Sequence, residues 1–145
     1  MDPTPEIMLE LIRELTQDER MMWVVGGGAV VSENNSKGVK PPEVSGGYIT
    51  IEADNWHFHL GEEAVDGIQF VEADSHGGLK SYYVRFSKGW DETLARCYFP
   101  NPYLDDDHKR TEFQEDKHQL FQRMREKYVG KEGIIFVERA AQPSS

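Results

Sequence analysis

The sequence predicts an α+β fold in which two helices pack on a run of antiparallel strands. Three observations predict it. Residues 4–17 and about 112–128 repeat apolar residues at three- and four-residue spacing, the period of a helix. Between them, Gly47 to Pro100 alternates apolar and polar residues in short segments separated by turn-like clusters. No internal repeat or low-complexity block divides the chain, which implies one domain over residues 1–145. Its ordered core is expected over about 4–138, with a frayed tail at 139–145.

The first helix has a clear start. Thr4 suits the N-cap, Pro5 the first helical position and Glu6 the positive end of the dipole. Ile7, Met8, Leu11, Ile12 and Leu15 then form one apolar stripe for core or dimer packing. Residues 20–33 read as one or two strands interrupted by Gly26, Gly27 and Gly28. A phosphate loop would lead into a helix, whereas these glycines lead into Ala29-Val30-Val31, so a bulge or bend fits better. Residues 34–46, with Pro41 and Pro42, form a polar loop long enough to be a flap as well as a connection.

The central stretch reads as four strands: GYITIEADNWHFHL, VDGIQFVEAD, LKSYYVRFSKG and TLARCYFP. The separators GEEA, SHGG and WDE predict that each strand hairpins onto the next. After Pro100, NPYLDDDHKR is a turn-rich connector. Thr111 and Gln114 suggest a capping box. Phe113, Leu120, Phe121, Met124 and Tyr128 give the second helix its apolar face, and Gly130 ends it. GIIFVE can add a last short strand.

The bulk properties narrow the function. With 26 acidic against 16 basic residues, the net charge of −10 disfavours nucleic acid and anionic membranes, which bind through clustered cations. No apolar run reaches the roughly 20 residues of a membrane span. The acidic start MDPTPEIMLE lacks the features of a secretory signal. The single cysteine, Cys97, cannot form an intrachain disulfide, which fits a reducing cytoplasm.

Two groups of residues can carry chemistry. Trp56, Phe58 and Leu60 alternate with His57 and His59, so the two imidazoles share a strand face with Cα atoms about 7 Å apart. With Glu62 or Glu63 they could hold a divalent ion, which gives the metal set His57, His59 and Glu63. The plainer reading is two histidines on a solvated face. His76, His108 and His118 lie in a turn, a connector and a helix, where sequence alone cannot place them. The second group is Tyr83, Arg85 and Arg96. Tyr83 and Arg85 share one strand face, as do Leu94, Arg96 and Tyr98 on the next strand. Arginines beside tyrosines can hold a flat anionic ligand by bidentate contacts and stacking. Cross-strand pairing with acidic residues is the plainer alternative. Cys97, in register with Ala95 and Phe99, reads as a buried inert thiol. No GxSxG is present, and Glu62–Glu63 and Asp105–Asp107 read as surface acid.

Residues 21–128 resemble the intracellular haem-utilisation proteins of bacteria, the HemS/ChuX/HutX-like group, in its single-repeat form. The resemblance is spread over MMWVVGGGAVVSE, GYITIEADNWHFHLGEEAVDGIQFVEAD, the hairpin SYYVRFSKGWDETLARCYF and the helix TEFQEDKHQLFQRM. It implies a homodimeric cytoplasmic protein that binds haem or a related tetrapyrrole on the sheet face. His57 or His59 would be the axial ligand, and Arg85 or Arg96 would meet the propionates. Single-repeat members carry histidines where this chain has Val44-Ser45-Gly46 and Val65-Asp66-Gly67. Two other readings therefore stand beside haem binding. One is a small metal-dependent enzyme using the HxH pair. The other is a non-catalytic interaction module that kept the fold and lost the ligand.

Overall fold

The helix stripe and the strand alternation converge on one core. The computed structural model describes residues 2–74 and 79–139. Its elements run α1 (Pro5–Leu15), β1 (Met22–Gly26), β2 (Val31–Asn35), β3 (Glu43–Ser45), β4 (Tyr48–Glu52), β5 (His57–Gly61), β6 (Gly67–Asp74), β7 (Lys80–Lys88), β8 (Glu92–Tyr98), α2 (Glu115–Tyr128) and β9 (Ile134–Arg139). They form an α+β fold with a six-stranded sheet, ordered β2-β1-β8-β7-β6-β9, and a three-stranded sheet, β3-β4-β5. All neighbours pair antiparallel except β6 and β9.

Alternation gives the large sheet two different faces. Trp23, Ile68, Phe70, Val84, Phe86 and Cys97 point to one side and are fully buried or nearly so. Both helices cover this side. Phe121 of α2 lies 5.9 Å from Phe70 and 5.1 Å from Tyr82, ring to ring. Met8, Leu11, Ile12 and Leu15 complete the core from α1, whose start is capped as expected, with the Thr4 hydroxyl accepting from the Ile7 amide at 3.2 Å. Lys127 of α2 pairs with Glu14 of α1.

The small sheet covers the same side. Phe58 sits 5.7 Å from Trp23, and Ile49, Ile51 and Leu60 are buried with it. Here the chain departs from the predicted run of four hairpinned strands. GYITIEADNWHFHL is two strands, because Asp54 and Asn55 make a turn closed by the Ala53 amide donating to the Trp56 carbonyl at 2.9 Å. GEEA is not a hairpin turn: the chain crosses there from one sheet to the other, so β5 never pairs with β6.

Smaller corrections follow the same logic. The glycine run ends β1 and opens the turn of the β1–β2 hairpin, so the bend expected there falls between two strands. The proposed capping box does not form. Gln114 occupies the N-cap position of α2, but its side-chain amide donates to the carbonyls of Leu104 at 2.6 Å and Pro102 at 3.3 Å. Phe113 precedes the helix and is exposed, packing on Tyr103 and His118. GIIFVE is β9, laid parallel on β6 at the sheet edge. Among the described residues, no helix is long and apolar enough to cross a membrane.

Candidate functional site

Among the described residues no helix covers the second face of the large sheet, which holds the polar constellation. One register row crosses it: Glu33, Val24, Arg96, Arg85, Gln69 and Ile135, contributed in turn by β2, β1, β8, β7, β6 and β9. The next row places Tyr98 opposite Tyr83 and Tyr83 opposite Val71. Strand alternation therefore brings Tyr83, Arg85 and Arg96 together, as the sequence predicted.

A bulge refines the arrangement. The β7–β8 register shifts at Phe86/Ser87, so Ser87 faces Thr93. Leu94 consequently packs against the core instead of sharing the face of Arg96 and Tyr98. Thr93 takes that place beside Arg85.

Arg85 is held by three neutral acceptors. Its Nε donates to Thr93 Oγ1 at 2.6 Å, and its terminal nitrogens donate to Gln69 Oε1 at 2.8 Å and the Trp90 carbonyl at 3.0 Å. Gln69 is itself buried and fixed by donating to Ser87 Oγ at 3.1 Å. Arg96 donates to the Tyr98 hydroxyl at 3.0 Å, with its guanidinium 5.6 Å from the Tyr98 ring centroid and 5.9 Å from that of Tyr83. Its Nε is buried without a partner. Arg139, at the end of β9, lines the same cleft. Among the described residues, none of these three arginines makes an ion pair.

The electrostatic consequence is visible at Arg85. Burial first, then the like charge of Arg139 and, further down, that of Arg96, pull its guanidinium below the ordinary value, although Tyr83 and Asp91 oppose them. Burial raises the Tyr98 hydroxyl above its usual value, and Arg96 counteracts part of that rise. The cleft is open, about 530 Å³, with Gly27, Gln69, Val71, Trp90, Asp91, Thr93 and Val137 among its walls beside the arginines. That volume lies within the range of small-molecule sites, about 300–1,000 Å³. Three arginines and one carboxylate, Asp91, line this cleft, and among the described residues none of the arginines is ion-paired.

The histidines lie elsewhere. Phe58 turns inward to Trp23, so His57 and His59 turn outward on the small sheet and are exposed. Their rings are 5.4 Å apart, and Thr50 Oγ1 is 2.8 Å from His59 Nδ1. The core and both sheets separate them from Arg85 and Arg96. Within one chain a single flat ligand cannot touch both sets, which corrects the joint site expected from the sequence. Among the described residues, no group of three or more His, Cys, Asp or Glu side chains is placed to hold a metal ion, so His57, His59 and the exposed Glu63 do not assemble a metal centre there. His76 lies outside the described residues. Cys97 is buried, and burial pushes its thiol well above the ordinary value, as expected for an inert thiol.

Sequence reasoning missed Arg139, Gln69, Thr93 and Trp90. Gln69 was legible, because it alternates with Ile68 and Phe70 and so faces away from the core. Thr93 was hidden by the bulge. Arg139 was assigned to the tail because nothing in the sequence says that β9 extends along β6.

Comparison with known proteins bears on this geometry. A protein-family model whose description names no activity matches residues 7–128. A search of curated protein sequences gives no match. A protein of Agrobacterium tumefaciens is similar in structure, with a TM-score of 0.61 and 16% identity over 86% of this chain and 66% of that one. A structure described as the haem-binding protein ChuX has a TM-score of 0.59 and 12% identity over 85% of this chain and 76% of its own. A protein of Erwinia carotovora gives 0.62 and 11%, over 86% and 71%. This chain therefore spans about two thirds of the length of the Agrobacterium protein and about three quarters of ChuX.

Proposed function

The chain belongs to the HemS/ChuX-like family of haem-utilisation proteins, and from that premise we propose that it binds haem or a related tetrapyrrole in the cleft of Arg85, Arg96 and Arg139. The observation that carries the reading is the set of arginines that, among the described residues, make no ion pair, one of them with a buried, unpartnered Nε. Two propionates would meet donors of these guanidinium groups that the neutral acceptors Thr93, Gln69, Trp90 and Tyr98 leave free. The exposed Trp90, with Val71 and Val137, offers apolar surface to the ring, while Tyr83 and Tyr98 lie behind Arg96.

The residues fit the group in part. The anionic edge of the ligand is matched, but neither His57 nor His59 reaches this face within one chain. Propionate anchoring and aromatic contact therefore carry binding in this reading, and no step is assigned to the iron. The role is carriage or storage in a cytoplasmic setting, without catalysis. A second copy of the chain is the proposed partner, since Val31, Trp90 and Ile135 leave apolar surface exposed on the arginine face.

The test compares hemin with hemin dimethyl ester, whose propionates are uncharged. Free-acid hemin should bind at least about tenfold tighter, the scale of one charge-assisted hydrogen bond. Equal affinity for the two would refute arginine–propionate anchoring.

A further inference from the structure

Of the three consecutive glycines at the end of β1 and in the turn after it, two are needed for different reasons, and one of these reaches the cleft. Gly26 has φ +87, a left-handed conformation that side chains rarely adopt. A Cβ on Gly28 would meet nothing within 4 Å. Gly27 needs no left-handed backbone, yet a Cβ there would stand 2.4 Å from Thr93 Cβ, 2.8 Å from its Cγ2 and 3.0 Å from its carbonyl oxygen. Thr93 is the residue that the bulge brings onto the arginine face, where its hydroxyl accepts from Arg85 Nε at 2.6 Å.

We infer that Gly27 is a positioning residue for the anion cleft, acting through Thr93 to hold Arg85. The inference rests on the cleft being the ligand site. The absent side chain leaves Thr93 close against the turn, and Thr93 fixes the inner edge of the guanidinium. Gln69 and the Trp90 carbonyl fix the outer edge. The remaining donors of Arg85 then point to the cleft in one geometry, which lowers the ordering cost of meeting a carboxylate. Ordinary contact around an added Cβ needs a displacement of about 1 Å, and where Thr93 is the group that gives way its 2.6 Å bond to Arg85 is strained or broken.

Two readouts test this. In the ligand-free protein, exchange of the Arg85 Nε proton followed by nuclear magnetic resonance reports its hydrogen bond directly. It should be slow in wild type and Gly28→Ala and fast in Gly27→Ala and Thr93→Val. In hemin titrations, Gly27→Ala and Thr93→Val should each weaken binding about tenfold, the scale of losing one bond to a charged group, and Gly28→Ala should not. Adding Gly27→Ala to Arg85→Gln should cost nothing further, because both changes act on one group.

Unchanged Arg85 protection in Gly27→Ala overturns the inference, as does a Gly27→Ala loss that persists in full on the Arg85→Gln background. If Gly27→Ala fails to fold, Thr93→Val decides the matter, and normal protection with normal binding in that variant overturns it. If wild type binds no hemin, the ligand reading falls while the Arg85 proton still decides whether Gly27 holds Arg85.

Discussion

The rings of Trp23 and Phe58 meet at 5.7 Å, and that contact determines which way each sheet faces. Trp23 belongs to the large sheet and Phe58 to the small one. With Phe58 turned inward, alternation turns His57 and His59 to the outside of the small sheet. With Trp23 turned inward, Arg96 and Arg85 lie on the far side of the large sheet, by the register of β1 with β8 and β8 with β7. The histidine and arginine sets are thus on opposite sides of the core.

Phe58→Ala should therefore loosen the small sheet without touching the cleft. Phe58 is only partly buried between Trp23 and Trp56, so the cost is about 2 kcal/mol, below that of a fully buried aromatic. Denaturant unfolding measures it, and hemin affinity should stay at the wild-type value. A loss of affinity as large as that of an arginine variant would contradict the separation of the two sides.

Arg96→Lys keeps the charge but removes the planar fork and its contacts with Tyr83 and Tyr98. Hemin affinity should fall by about tenfold. Full retention would mean that charge alone suffices at this position.

Tyr82 makes stability fall at alkaline pH. Burial, with the Glu72 carboxylate adding to it, raises its hydroxyl to about 12 from an ordinary 10. Folding favours the protonated form, so this contribution is complete below pH 10 and is lost as pH rises from 10 to 12. Chemical denaturation across that window should show a shallower loss for Tyr82→Phe than for wild type. Identical slopes would contradict the assignment.

Cys97 is buried in the core with its thiol raised well above the ordinary value, so the reactive thiolate is scarce and shielded. A thiol reagent at pH 8 should react slowly with native protein and at once in urea. Fast native reaction would show that β8 opens readily.

Much of this arrangement was legible in residue order, because strand alternation and helix spacing are local. Thr4 and Pro5 announced α1, and Tyr83, Arg85 and Arg96 could be placed on shared faces by counting alone. What was not legible depended on pairing between distant strands. Asp54-Asn55 is a weak turn signal inside an apolar run, so β4 and β5 read as one strand. The crossing between sheets at GEEA has no signature, because a hairpin turn and a sheet-to-sheet connection use the same residues. Counting along β8 also failed at Leu94, where one extra residue moves Thr93 onto the arginine face. The same counting that places His57 beside His59 cannot say which side of the molecule they occupy.

The most direct measurement titrates the ligand-free protein with hemin, following the Soret band in wild type, Arg85→Gln/Arg96→Gln and His57→Ala/His59→Ala. The account predicts a saturable shift in wild type, the same shift in the histidine variant, and its loss or severe weakening in the arginine variant. A shift abolished by the histidine changes and untouched by the arginine changes would place the ligand on the outer face of the small sheet and contradict the account.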